Sequence, residues 1–86
     1  MYDIFVVGDE TNKKVIRCVA NSLCEQNNIY AYPYIGDNTS DYLALFHLID
    51  SADIVYLISG NKCGTIIEKI VEAYASRVDK EVKIIV

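Results

Sequence analysis

The apolar pattern of this chain switches repeatedly between strand and helix periodicity, and that alternation restricts the fold more than any other property. The run from Tyr2 to Val7 is apolar except for Asp3 and is followed by Gly8, as in a strand covered on both faces. Asp9 to Asn12 is a polar connection in which Asp9 or Thr11 can serve as an N-cap. Lys13 to Asn27 repeats at helical spacing through Val15, Ile16, Val19 and Leu23, and Asn27-Asn28 ends it. Ile29 to Ile35 is strand-like, with Tyr30, Tyr32 and Tyr34 on one face, and Pro33 cannot donate to a ladder, which predicts an edge strand. After a loop over Gly36 to Ser40, the stretch Asp41 to Ser51 sets Tyr42, Leu45, Phe46 and Ile49 along one helical stripe. Asp53 to Ser59 reads as a third strand. Gly64 to Arg77 reads as a third helix that buries Ile66, Ile67, Ile70, Val71 and Tyr74, and Val82 to Val86 as a last strand.

Strands that alternate with helices of this length imply right-handed crossovers and a parallel sheet. The expected fold is a three-layer α/β domain over residues 1–86, flavodoxin-like or half-Rossmann. Its four-stranded parallel sheet, of order 2-1-3-4, is flanked by three helices.

Eighty-six residues lie near the small end of what folds alone, and 52% of them are apolar. Some of that apolar surface is expected in a subunit interface, and a homo-oligomer is expected; the tyrosine row 30/32/34 is either a covered sheet face or an edge for the second subunit. The net charge is −4, and Lys13, Lys14 and Arg17 form the only basic cluster. With no basic stripe, binding to nucleic acid through its phosphates is excluded as an expectation. Cys18, Cys24 and Cys63 have no metal-ligand spacing, and their odd number points to reduced thiols in a cytoplasmic protein. The N-terminal run is too short and too acidic for a signal peptide or a membrane span, so no membrane partner is expected. No cofactor and no metal are expected either.

The glycines mark the place where a ligand would sit. Gly8, Gly36 and Gly60 each follow a strand, and Gly64 opens a helix. Open parallel sheets bind ligands at the carboxyl ends of their strands, where the strand order reverses. In the order 2-1-3-4 that point lies between the first and third strands, so Gly8 to Asn12 is expected to face Ser59 to Glu68, with Gly36 to Asn38, including Asp37, at the rim. The segment Gly60-Asn61-Lys62-Cys63-Gly64-Thr65 is not a P-loop, because Lys62 precedes the second glycine and no Gly-Lys-Ser/Thr follows. It is either an ordinary connection or a ligand loop whose bare amides meet an anion or a sugar oxygen.

Glu68, one turn inside the third helix, either answers the helix dipole or acts as a carboxylate nucleophile or ribose anchor. A glutamate that attacks a sugar carbon needs a second acid or polar group nearby, and Asp9, Asp37 and Asn38 are the choices at this edge. His47 is expected to be partly exposed. Cys63 is read as an incidental loop cysteine, and Cys18 and Cys24 as packing residues of the first helix.

The run Ala52-Asp53-Ile54-Val55 through Leu57-Ile58-Ser59-Gly60, then Gly64-Thr65 with Glu68, then Ala73-Tyr74-Ala75 and the closing KEVKIIV resembles the nucleoside 2-deoxyribosyltransferase family. The opening strand IFVVG is similar to that family's first strand. The likeness covers the first strand and roughly Ile49 to Val86. It implies that Glu68 is the nucleophile and that Gly64 and Thr65 lie beside the bound sugar. The family's aspartate on the preceding helix has Leu45 or Phe46 in its place here, and the glycine of the first strand is followed by Asp9 where the family often has proline. GTxxE after a glycine loop also resembles the phosphoribohydrolases of the lysine-decarboxylase-like family, without their proline and paired glycines.

Both likenesses imply a nucleoside or nucleotide ligand. Together with the position at the carboxyl edge of the sheet, they give an expected site in which Gly8, Asn38, Ser59, Gly60, Asn61, Gly64 and Thr65 bind and Glu68, Asp9 and Asp37 are the catalytic groups. Three functions are consistent with these residues. They are N-glycosidic bond processing by a deoxyribosyltransferase or hydrolase, non-catalytic capture or sensing of a nucleotide, and a protein-interaction module on the same fold.

Overall fold

The computed structural model describes residues 2–27, 30–36, 41–59 and 66–85. The chain is an α/β fold of flavodoxin-like topology. Strand β1 (Tyr2–Asp9) leads through a single 3₁₀ turn (Glu10–Asn12) into α1 (Lys13–Asn27). Then follow β2 (Ala31–Gly36), α2 (Tyr42–Ser51), β3 (Ala52–Ile58), α3 (Ile66–Arg77) and β4 (Val82–Ile85). The sheet order is β2-β1-β3-β4 and every pairing is parallel. β1 runs to Asp9, two residues past the end of its apolar run, because Gly8 and Asp9 keep register with Ile35 and Gly36 of β2.

Right-handed crossovers put α1 on one face of the sheet and α2 with α3 on the other. Two cores result. Ile4, Val6 and Ala31 pack with Ile16 and Ala20 of α1. Phe5, Val7, Val55 and Leu57 pack with Leu45 and Ile49 of α2 and Ile67 and Val71 of α3. β1 serves both cores, which is why its apolar run does not alternate; each of its fully buried side chains contributes about 1.5–3 kcal/mol.

The caps follow local chemistry. Asp9 Oδ2 accepts from the backbone N–H and the hydroxyl of Thr11 (3.1 and 2.8 Å) and opens the 3₁₀ turn. Asp41 Oδ1 accepts from Leu43 N and Ala44 N (3.0 and 3.3 Å) and starts α2. α3 ends where Asp79 turns to φ 58° and Lys80 N donates to the carbonyl of Ala75 at 2.8 Å.

Five expected packing roles differ. Ile66 is 64% exposed, because the buried stripe of α3 runs through Ile67, Val71 and Ala75, one residue round the helix. Val15 is exposed for the same reason, with Ile16 and Ala20 taking the core positions of α1. Cys18 is exposed on that helix, and Cys24, also exposed, lies within hydrogen-bonding reach of the Ala31 backbone. Tyr30 precedes β2 and is exposed, while Tyr32 and Tyr34 are half-buried with their rings 6.3 and 5.8 Å from that of Phe5. No described helix is long and apolar enough to cross a membrane.

Candidate functional site

β1 and β3 lie side by side, and the helices that follow them leave toward opposite faces of the sheet. Their carboxyl ends therefore border the cleft where an open parallel sheet accepts a ligand. On the β1 side the tip consists of Gly8, Asp9 and the 3₁₀ turn. Asn12, the last residue of that turn, sends Nδ2 to the carbonyl of Ser59 at 3.2 Å. Ser59 is buried, and its own N–H donates to the carbonyl of Ile85 at 2.8 Å. One short chain of bonds thus ties the exit of β1 to the tips of β3 and β4.

Gly8 is required by close approach. A Cβ there would stand 2.9 Å from the carbonyl oxygen of Ile58 and 3.0 Å from Ile16 Cδ1. At Gly36 the close approach is to a side chain instead, since a Cβ would meet Ile67 Cδ1 at 2.5 Å. The first turn of α3 therefore rests on the last residue of β2. Gly36 is also the register partner of Asp9, so the start of α3 and the tip of β1 share one end of the sheet.

Glu68 follows Ile67 in that first turn. It is 5% exposed and its Oε1 is wholly enclosed, a rare position for a carboxylate. The amino end of α3 supplies a positive dipole close to the acid, which offsets part of the cost of its burial.

Of the residues expected at the site, Gly8, Asp9 and Ser59 are brought to one end of the sheet, and Glu68 is withdrawn from bulk water at the start of α3. Asp37, Asn38, Gly60, Asn61, Gly64 and Thr65 lie outside the described residues. Asn12 is the addition. Its position inside the expected cleft was readable from the sequence, but its bond to Ser59, 47 positions away, left no local signal.

A concave surface borders the 3₁₀ turn along Glu10, Thr11, Asn12 and Lys13, and two more lie away from it. One is lined by Phe46, Ile70, Ala73, Tyr74 and Arg77 between α2 and α3. There the rings of Phe46 and Tyr74 stack at 4.2 Å, and the Asp50 carboxylate, accepting from the Tyr74 hydroxyl at 2.8 Å, holds that phenol above the ordinary tyrosine range. Another runs along Glu72, Ser76, Lys80, Val82 and Ile84 beside β4. His47 is exposed on α2. Among the described residues no cluster of His, Cys, Asp and Glu could hold a metal ion.

Compared with known proteins, the chain matches no family model, no curated protein and no solved structure.

Proposed function

We propose that this chain processes the N-glycosidic bond of a nucleoside or nucleotide, with Glu68 as the nucleophile. The observation that supports this reading is the burial of the Glu68 carboxylate in the first turn of α3, at the carboxyl end of a parallel sheet. A carboxylate kept from bulk water is a stronger nucleophile toward an electrophilic sugar carbon than a hydrated one.

In the first step a Glu68 oxygen bonds to the anomeric carbon and the carbon–nitrogen bond breaks. The bonding pair leaves on the base nitrogen, which takes a proton from the general acid. Water or a second base then attacks the same carbon and frees Glu68. Asp9 or Asp37 serves as the acid and base. Asp9 Oδ2 is engaged by Thr11, so Oδ1 is the atom left for the substrate.

The test is base release. Purified chain is incubated with a panel of deoxynucleosides and nucleotides, and free base is followed by chromatography. Release that falls at least a thousandfold in Glu68→Gln, with the melting temperature retained, supports the reading. Release unchanged in Glu68→Gln, or no release from any member of the panel, overturns it.

One observation favours a second reading. Leu45, at the place of the family's additional aspartate, is fully buried in the core, and Phe46 is stacked on Tyr74. α2 then brings no acid to the cleft, as suits a module that captures or senses a nucleotide without turning it over. Thermal stabilisation by a nucleotide with no base released selects this reading. The absence of both responses leaves the interaction module.

A further inference from the structure

The two outer strands of the sheet present different edges. In β2, Ile4 N donates to the carbonyl of Tyr30 at 3.2 Å, which sets residues 30, 32 and 34 toward β1 and residues 31, 33 and 35 outward. On that outward side the N–H of Ala31 is held by Cys24 Sγ of α1 at 3.4 Å, and Pro33 has no N–H. In β4, Val55 N donates to the carbonyl of Glu81 at 3.0 Å and Ser59 N to that of Ile85 at 2.8 Å. Glu81, Lys83 and Ile85 therefore face β3, while Val82 and Ile84 turn their N–H and C=O groups away from the sheet. Those outward groups have no partner among the described residues, and the Ile84 side chain is 56% exposed.

We infer that β4 is a self-association edge: it pairs antiparallel with β4 of a second copy of this chain, about a two-fold axis perpendicular to the sheet, to give one continuous sheet of twice the width. The charges select the register. An axis at Lys83 sets Lys83 against Lys83 of the partner subunit, which repels. An axis at Ile84 sets Lys83 against the partner's Ile85 and makes no charge pair. An axis at Val82 sets Glu81 against the partner's Lys83 and Lys83 against the partner's Glu81, two attractive pairs at the close positions of an antiparallel ladder. Both side chains are exposed, and by strand alternation both lie on the α1 face.

In this register Val82 exchanges two backbone bonds with the partner's Val82. The Ile84 N–H reaches the carbonyl of the partner's Lys80, whose own N–H is already committed to Ala75. The groove of Glu72, Ser76, Lys80 and Ile84 borders the axis. A lone lysine on an outer strand discourages indiscriminate pairing. Glu81, two residues earlier, makes an exception for a strand that offers the opposite charges in reverse order, and another copy of β4 does so.

The test is the mass of the full chain in solution by sedimentation equilibrium. Twice 9.7 kDa is expected at micromolar concentration. Lys83→Glu alone and Glu81→Lys alone each set like charges opposite one another and should raise the dimer dissociation constant roughly tenfold or more. Mixing those two variants, or combining both changes in one chain, restores the pairs and the dimer. Val82→Pro removes the central outward N–H without touching a bond to β3 and should give a folded monomer by circular dichroism. A wild-type chain that stays monomeric into the hundred-micromolar range overturns the inference. So does a dimer indifferent to Lys83→Glu and Val82→Pro, or one that mixing fails to restore.

Discussion

β2 and β4 bound the same sheet, yet the first two outward positions of β2, Ala31 and Pro33, offer no free N–H, whereas the outward N–H groups of β4 have no partner among the described residues. β2 is closed from two directions: α1 lies close enough for Cys24 to take the Ala31 N–H, and the chain itself omits a donor at Pro33. Neither device reaches β4. α1 packs over the β1–β2 side of its face, and α3, on the opposite face, starts over the tip of β2 and leaves Ile84 uncovered. The two edges show that an outer strand is protected by what its helix places alongside it, and that the helix count alone does not decide protection.

The largest expected effect separates the two sides by packing. Gly36→Ala drives a methyl group into Ile67 and should cost about 1–3 kcal/mol in urea unfolding. Ile84→Ala at the open side, read at concentrations where the chain is monomeric, should stay within about 0.5 kcal/mol. Equal losses at the two positions would erase the contrast.

A smaller gain is expected where the chain enters β4. Asp79 holds a left-handed conformation that glycine adopts without strain, so Asp79→Gly should stabilise the chain by about 0.5–1 kcal/mol in the same assay. A loss would mean that the Asp79 side chain contributes more than its backbone strain costs.

The smallest change in stability belongs to the closed edge. Cys24→Ala should alter unfolding by about 0.5 kcal/mol or less while speeding hydrogen exchange at the Ala31 amide. Unchanged exchange there would show that Cys24 is not what closes β2.

Much of this arrangement was legible in the residues. Periodicity located the four described strands and the three α-helices, and the expected order 2-1-3-4, with the strand of Pro33 at an edge, is the one observed. The errors came from angular position around a helix. Ile66 and Ile67 both fit an apolar stripe, and only the seating of α3 on the β2 tip decides between them. Cys24 looked like a core residue because its partner is a backbone N–H, which leaves no mark in a sequence. At the candidate site, glycine positions and the acid in the first turn of α3 singled out one end of the sheet, and the structure gathers Gly8, Asp9 and Ser59 there. The depth of Glu68 and the Asn12–Ser59 bond were illegible, because both depend on how distant segments meet in three dimensions.

The contact between Gly36 and Ile67 has a consequence for the acid beside it. With no side chain on Gly36, the Ile67 side chain closes directly onto the tip of β2, and Glu68 follows it into the first turn of α3 at 5% exposure. A methyl group at Gly36 has to displace Ile67 first, so whatever it changes in the surroundings of the acid is transmitted through that one neighbouring side chain.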